Sequence, residues 1–233
     1  LDVRRLNFYE HNDRNLTPYH MQVEDFVLDE LVEQLESTSR YRERRQSIKA
    51  FNSTNPYLRR GLALTPVKFG ISFTNTPLNQ AGALLHVYKD GSVLLNHGGT
   101  EMGQGLLIKV AQVVAAELQI DIGQVQISST HTGKVPNTSA TAASSGTDLN
   151  GMAAQNAART IRRRLTAFAA THFDVAENEI EFQNGKVRIA DSWMTFSELV
   201  LEAYLHRVQL SATGFYRTPK IWWDAETARG RPF

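Results

Sequence analysis

The chain has 233 residues, 42% hydrophobic and 21% charged, with a mean hydropathy of -0.33; this excludes disorder and collagen-like repeats and leaves length enough for one or two cores. Its 25 Lys and Arg against 24 Asp and Glu offer no broad field to a phosphate backbone or an anionic lipid, so no nucleic-acid partner is expected. The absence of cysteine excludes disulfides, thiolate metal ligation and a thiol nucleophile within the chain and suits a cytoplasmic setting; no apolar run approaches the roughly 20 residues of a membrane span.

The first residues, Leu1-Asp-Val-Arg-Arg-Leu-Asn-Phe-Tyr9, read as the middle of a helix, and the last, Arg229-Gly-Arg-Pro-Phe233, end without a cap. The expectation is an internal piece of a longer polypeptide. From Met21 to about Ala50, Val23, Phe26, Val27, Leu31, Val32 and Leu35 keep helical spacing, which predicts one amphipathic helix with a possible break at Ser37 to Ser39. Its basic run Tyr41-Arg42-Glu43-Arg44-Arg45 reads as a solvated face, because acidic residues just upstream neutralise it. Gly61 to Phe73 is β-branched and aromatic with Pro66 inside, which predicts an edge strand.

Ala83-Leu-Leu-His-Val-Tyr88 and Ser92-Val-Leu-Leu-Asn96 flank Lys89-Asp90-Gly91, a hairpin in which Gly91 supplies the positive φ. Leu107, Val110, Ala111, Val114 and Leu118 predict a helix over 106–120, followed by a strand at Val125 to Ser129. Asp148 to Phe173 predicts a long helix, with Ser145 and Asp148 resembling a capping box. A second hairpin surrounds Asn184-Gly185, and a third helix covers Phe196 to His206. Hairpins interrupt any strict β-α-β alternation, so the class is α+β, with mixed sheets packed by helices.

Chemistry concentrates in two segments. Asn96-His-Gly-Gly-Thr-Glu-Met-Gly-Gln-Gly105 places four glycines in eight residues between a strand and a helix. Glycines there permit positive φ and clear the way to the amides of a helix N-terminus; a tight turn without ligand is the competing reading. The spacing fits neither phosphate-loop nor dinucleotide fingerprints, and Lys109 comes too late for a phosphate lysine. The second segment, Gly133 to Thr147, carries six hydroxyl residues among 15 and again delivers the chain to a helix start. Either it is a flexible Ser/Ala linker or its hydroxyls serve a polar ligand; the helix behind it argues for order. Two such entrances, near 104 and 145, facing one cleft would clamp a single extended anionic cofactor.

Gly98-Gly-Thr-Glu-Met-Gly-Gln-Gly105, Val135-Pro-Asn-Thr-Ser-Ala-Thr-Ala-Ala-Ser144 and Ser211-Ala-Thr-Gly-Phe-Tyr-Arg-Thr-Pro219 resemble, in order, segments of the molybdenum hydroxylases. The resemblance runs through nearly the whole chain, including Leu6 to Tyr9 and Arg60 to Pro66. It implies that Gly103, Gln104 and Gly105 contact a molybdopterin cofactor, that Thr141, Ala143 and Ser144 lie along it, and that Ala142 and Ala143 form part of a substrate wall. It implies a purine substrate, with an aldehyde as the alternative, and oxidation whose electrons leave through 2Fe-2S clusters and FAD on other domains or subunits of an oligomeric enzyme. It further implies a boundary near 126/127 between two cofactor-binding subdomains. The family's arginine-bearing glycine segment and its general-base Glu are missing, so no catalytic residue is assigned and the isolated chain is expected to be inactive. The metal is carried by the cofactor's sulfurs, so no protein metal ligand is assigned either.

Glu101 reads as structural rather than as a substitute base. The histidines at 11, 20, 86, 97, 131, 172 and 206 lack ligand spacing, and a local hydrogen-bonding role is expected for His97. Trp222-Trp223, with Phe215 and Tyr216, reads as core or interface packing rather than a base-stacking platform. A non-catalytic assembly module, using the helix over 21–50 and the terminal aromatics, remains the reading from another class.

Overall fold

The structure, a computed structural model, describes residues 1–142 and 144–232. They form two compact units, Leu1–Gly70 with Trp223–Arg231, and a larger one built on Ile71–Trp222.

In the first unit, α1 spans Asp2–Arg5, α2 Leu28–Thr38 and α3 Tyr41–Thr54. The helix expected over 21–50 is therefore two helices, parted where Arg40 takes a left-handed φ of 51°. Residues 21–27 stay outside because their neighbours' backbone is already committed: Leu16 bridges Gln22, and the Met21 N–H donates to Thr17 Oγ1 at 3.0 Å. The basic run is partnered, with Arg42 on Glu36 at 2.6 Å and Arg45 donating to the Leu62 carbonyl. Phe8, Val32, Tyr41 and Leu64 form a small core.

The strand expected at 61–73 does not form. Around its start the polar backbone is satisfied by side chains instead, Asn52 Oδ1 accepting from the Arg60 N–H at 2.8 Å. Pro66 has no N–H to give to a ladder.

The second unit begins its sheet with β1, Gln80–Val87, turning through Gly91 (φ +83°) into β2, Val93–His97. Helix α4 follows at Leu106–Leu118, then β3 at Val125–Ile127, parallel to β2. The long helix α5 covers Gly146–Phe173. The second expected hairpin is β4, Ile180–Gln183, and β5, Lys186–Ile189; β6, Ser192–Thr195, adds a third strand the sequence reading did not anticipate. Helix α6, Phe196–Leu205, starts on a true capping box of Thr195 and Glu198. Strand β7, Ser211–Arg217, returns antiparallel to β1, giving the order β3-β2-β1-β7. That sheet joins residues on both sides of position 126.

One core serves this unit. Along α5, Leu149, Ala153, Ala157, Ile161, Leu165 and Ala169 step by four residues and are all buried, a continuous stripe that winds slowly around the helix. It packs on β1, β7, α4 and α6. Contact with β7 is so close that a Cβ built on Gly214 would lie 1.9 Å from the Ala153 carbonyl oxygen. A short ribbon, β8 at Trp222–Asp224 and β9 at Arg229–Arg231, completes the chain. Trp222 is 52% exposed there, so of the expected core or interface packing the core alternative fails for it.

Candidate functional site

Strand β2 delivers His97 into the core with no exposed surface. Its Nδ1 accepts the Gly99 N–H at 3.1 Å, which fixes the first bend of the glycine segment and bears out a local role. Burial pushes the imidazole below its ordinary 6.5, so it is held neutral with the proton on Nε2.

The rest of the segment is organised by one carboxylate. Glu101 accepts the N–H groups of Gly103 at 2.9 Å, Gly105 at 3.0 Å and Leu107 at 3.0 Å. Backbone donors, Leu107 foremost, hold the carboxyl below its usual range. Three amides can reach one side chain only because Gly103 and Gly105 take left-handed φ values of +98° and +74°. Glu101 thus caps α4 from within, and the charge expected of a ligand at that helix start is supplied by the protein itself. Gln104 also folds inward: its Oε1 accepts from the Met102 N–H at 2.6 Å and its Nε2 donates to the Thr100 carbonyl at 2.9 Å. One lone pair and one N–H of that amide remain for a ligand.

The start of α5 is built differently. Ser145 Oγ donates back to the Ala142 carbonyl at 2.8 Å and makes no cap bond to the helix. The expected Ser145–Asp148 capping box is therefore absent. Ser145 already has helical dihedrals (φ -91°, ψ -1°), which aim its hydroxyl away from the amides of the first turn. Burial raises the Asp148 carboxyl above its ordinary 3.8 and, with the Asp148 charge as the lesser cause, raises the Tyr216 phenol above 10.0.

The two entrances meet. The Thr100 N–H donates to Thr141 Oγ1 at 2.8 Å. Leu106, the first and fully buried residue of α4, lies between them: a Cβ on Gly99 would stand 2.6 Å from its Cδ2, and one on Gly146 would stand 3.5 Å from both its δ carbons. A cleft of about 400 Å³ opens above this junction, lined by Met102, Gln104, Leu106, Lys109, Thr141, Ala142, Ser144, Gly146 and Thr147. Gln104, Thr141, Ala142 and Ser144 are thus brought together, while Gly103 and Gly105 shape the loop that carries Gln104. Ala143 lies outside the described residues. Lys109 is the lining residue that sequence reasoning set aside; its place one helical turn after Gly105 was the signal that it would share the cleft's side of α4. Among the described residues, no group of three or more His, Asp or Glu converges as a metal site, and no helix is long and apolar enough to cross a membrane.

The molybdopterin cofactor-binding domain profile matches residues 34–233. The xanthine dehydrogenase/oxidase of Felis catus is 46% identical over 232 residues, covering 100% of this chain and 16% of that protein. The xanthine dehydrogenase of Blastobotrys adeninivorans is 45% identical over 212 residues, 89% of this chain and 14% of that one. The chain spans about a sixth of the length of the curated relatives it matches. Among solved structures, quinoline 2-oxidoreductase from Pseudomonas putida 86 superposes with a TM-score of 0.76 at 20% identity, over 99% of this chain and 33% of that one. The aldehyde oxidoreductase of Desulfovibrio gigas gives 0.68 at 15% identity, over 100% and 22%. At those identities the likeness is one of fold.

Proposed function

The chain belongs to the molybdopterin cofactor-binding domain family, and from that premise we propose that it is the pterin-cradling piece of a molybdenum hydroxylase that oxidises a purine, xanthine or hypoxanthine. The observation that carries this reading is the single cleft shared by the starts of α4 and α5. The purine branch is supported by relatives named xanthine dehydrogenase at 44–46% identity across the chain.

The residues present fit a flat ligand with polar edges and an anionic end. Ala142 and Gly146 leave room beside the Gln104 amide, Ser144 and Thr147 offer hydroxyls, the start of α5, which Ser145 leaves uncapped, offers amide donors, and Lys109 adds a cation. The α4 start, filled by Glu101, orients the loop rather than binding charge. The molybdenum cofactor, when bound, supplies the metal with its sulfur ligands and the redox chemistry. Gln104, Thr141 and Ser144, with Gly103 and Gly105, hold and align it; Ala142 walls the substrate side.

The general base, the 2Fe-2S clusters and FAD belong to other parts of the parent enzyme, an oligomer of the cytoplasm, so the isolated chain is inactive. The 126/127 boundary between two cofactor-binding subdomains belongs to this reading of the parent; within this chain one sheet draws strands from both sides of it. The test is elemental and pterin analysis of the parent enzyme with Gln104→Ala. Reduced molybdenum and pterin relative to the unsubstituted enzyme is expected, and equal content defeats the site assignment.

A further inference from the structure

Helices α5 and α6 end side by side, and each brings a histidine to the same place. His172 sits in the last turn of α5 and His206 is the C-cap of α6. Their ring centres stand 4.6 Å apart with planes at 64°. Both are exposed, and Phe168 packs on both, at 5.1 Å from His172 and 5.4 Å from His206, which limits how far either ring can turn.

We propose that His172 and His206 form a two-imidazole site for a divalent transition-metal ion, separate from the cofactor cleft. The His206 Nδ1 lies 2.9 Å from the Glu202 carbonyl oxygen, so that nitrogen carries the proton and Nε2 presents its lone pair. A carbonyl that fixes the ring in this tautomer is the arrangement that orients metal-binding histidines. A centre-to-centre distance of 4.6 Å is within the span that one ion can bridge when bound roughly 2.1 Å from a nitrogen of each ring. The remaining positions go to water. The Glu202 carboxylate, 3.9 Å from His206 Nδ1, adds negative charge on the protonated side of that ring. Two neutral nitrogens without thiolate favour Cu²⁺ over Ni²⁺ and Zn²⁺.

The experiment is a Cu²⁺ titration of the 233-residue chain, followed by calorimetry, by the nitrogen hyperfine pattern in electron paramagnetic resonance and by the metal-induced rise in Tm. One equivalent with two bound imidazoles is expected. His172→Gln and His206→Gln should each weaken it beyond the roughly 10–100-fold that outer partners alone are worth, and the double variant should lose the site and the Tm rise. His131→Gln, which removes an exposed histidine whose Nδ1 accepts from Gly133, should leave binding unchanged. An unaltered metal-free Tm in the variants shows that the fold survives. Equal affinity in the double variant, or a spectrum with one imidazole, overturns the proposal.

Discussion

The Thr100 N–H and Thr141 Oγ1, 2.8 Å apart, join two loops 41 positions apart in sequence, and through them the starts of α4 and α5. Thr141→Val keeps the shape of the side chain and removes the acceptor, leaving the Thr100 amide to water. It should lower stability by about 1 kcal/mol, seen as a fall in the denaturant midpoint at unchanged slope, while Thr141→Ser restores it. In the parent enzyme the same Thr141→Val change should lower molybdenum content. A valine variant with the original midpoint would mean that the latch contributes nothing.

Glu101→Gln removes the charge that holds three amides at the head of α4. The Glu101 carboxyl titrates below its ordinary 4.5 in the folded chain, so the unfolded chain takes up that proton first as pH falls. The carboxylate's contribution is complete above 4.5 and is lost as pH drops through the lowered folded value. Thermal unfolding across that range should show the variant less stable near neutrality and the two curves converging in acid. A gap that stays constant with pH would remove the charge from the explanation.

The Glu101 cap also marks where sequence reading stops. The hairpin over β1 and β2 is legible because alternation and Lys89-Asp90-Gly91 are both local signals. The helices α4, α5 and α6 are legible from their 3.6-residue period, and so is the conjunction of two helix starts. Glu101 as a cap depends on left-handed backbone at both Gly103 and Gly105, a three-dimensional path that the residue order permits without specifying. Ser145 misled for the related reason that its own dihedrals, not its spacing from Asp148, decide where its hydroxyl points. Residues 61–73 have strand composition, yet a strand needs a partner, and β propensity carries no information about one. His172 and His206 lie 34 positions apart on different helices, beyond any local ligand pattern.

His97 couples the core to pH in a different window. Its folded value is pushed below 6.5 by burial, so the unfolded chain binds the proton more readily. Stability from keeping His97 neutral is full above 6.5 and declines as pH falls from there toward the lowered folded value. His97→Gln removes that titration and the acceptor for Gly99 together. The variant should unfold more easily above 6.5, with the difference shrinking below it, in parallel denaturation series. If the two slopes against pH match, His97 is not the group that titrates.

Two glycines should fail for opposite reasons when given a methyl group. At Gly214 the backbone of β7 lies against α5, and a Cβ would stand 1.9 Å from the Ala153 carbonyl oxygen and 2.6 Å from the Ala157 nitrogen. Neither is the end of a flexible side chain, so strand and helix must separate along their shared core, and Gly214→Ala should cost about 3 kcal/mol or more. At Gly103 nothing lies within 4 Å of the added carbon, so the cost has no steric part and starts from the left-handed φ of +98°, about 1–3 kcal/mol. Gly103→Ala should also pull the Gly103 amide from Glu101, so its penalty shrinks in the Glu101→Gln background, whereas that of Gly214→Ala does not. A double-mutant cycle separates the two cases, because coupling appears only where residues share a contact. Equal coupling of both glycines to Glu101 would show that the loop and the β7–α5 junction yield as one unit.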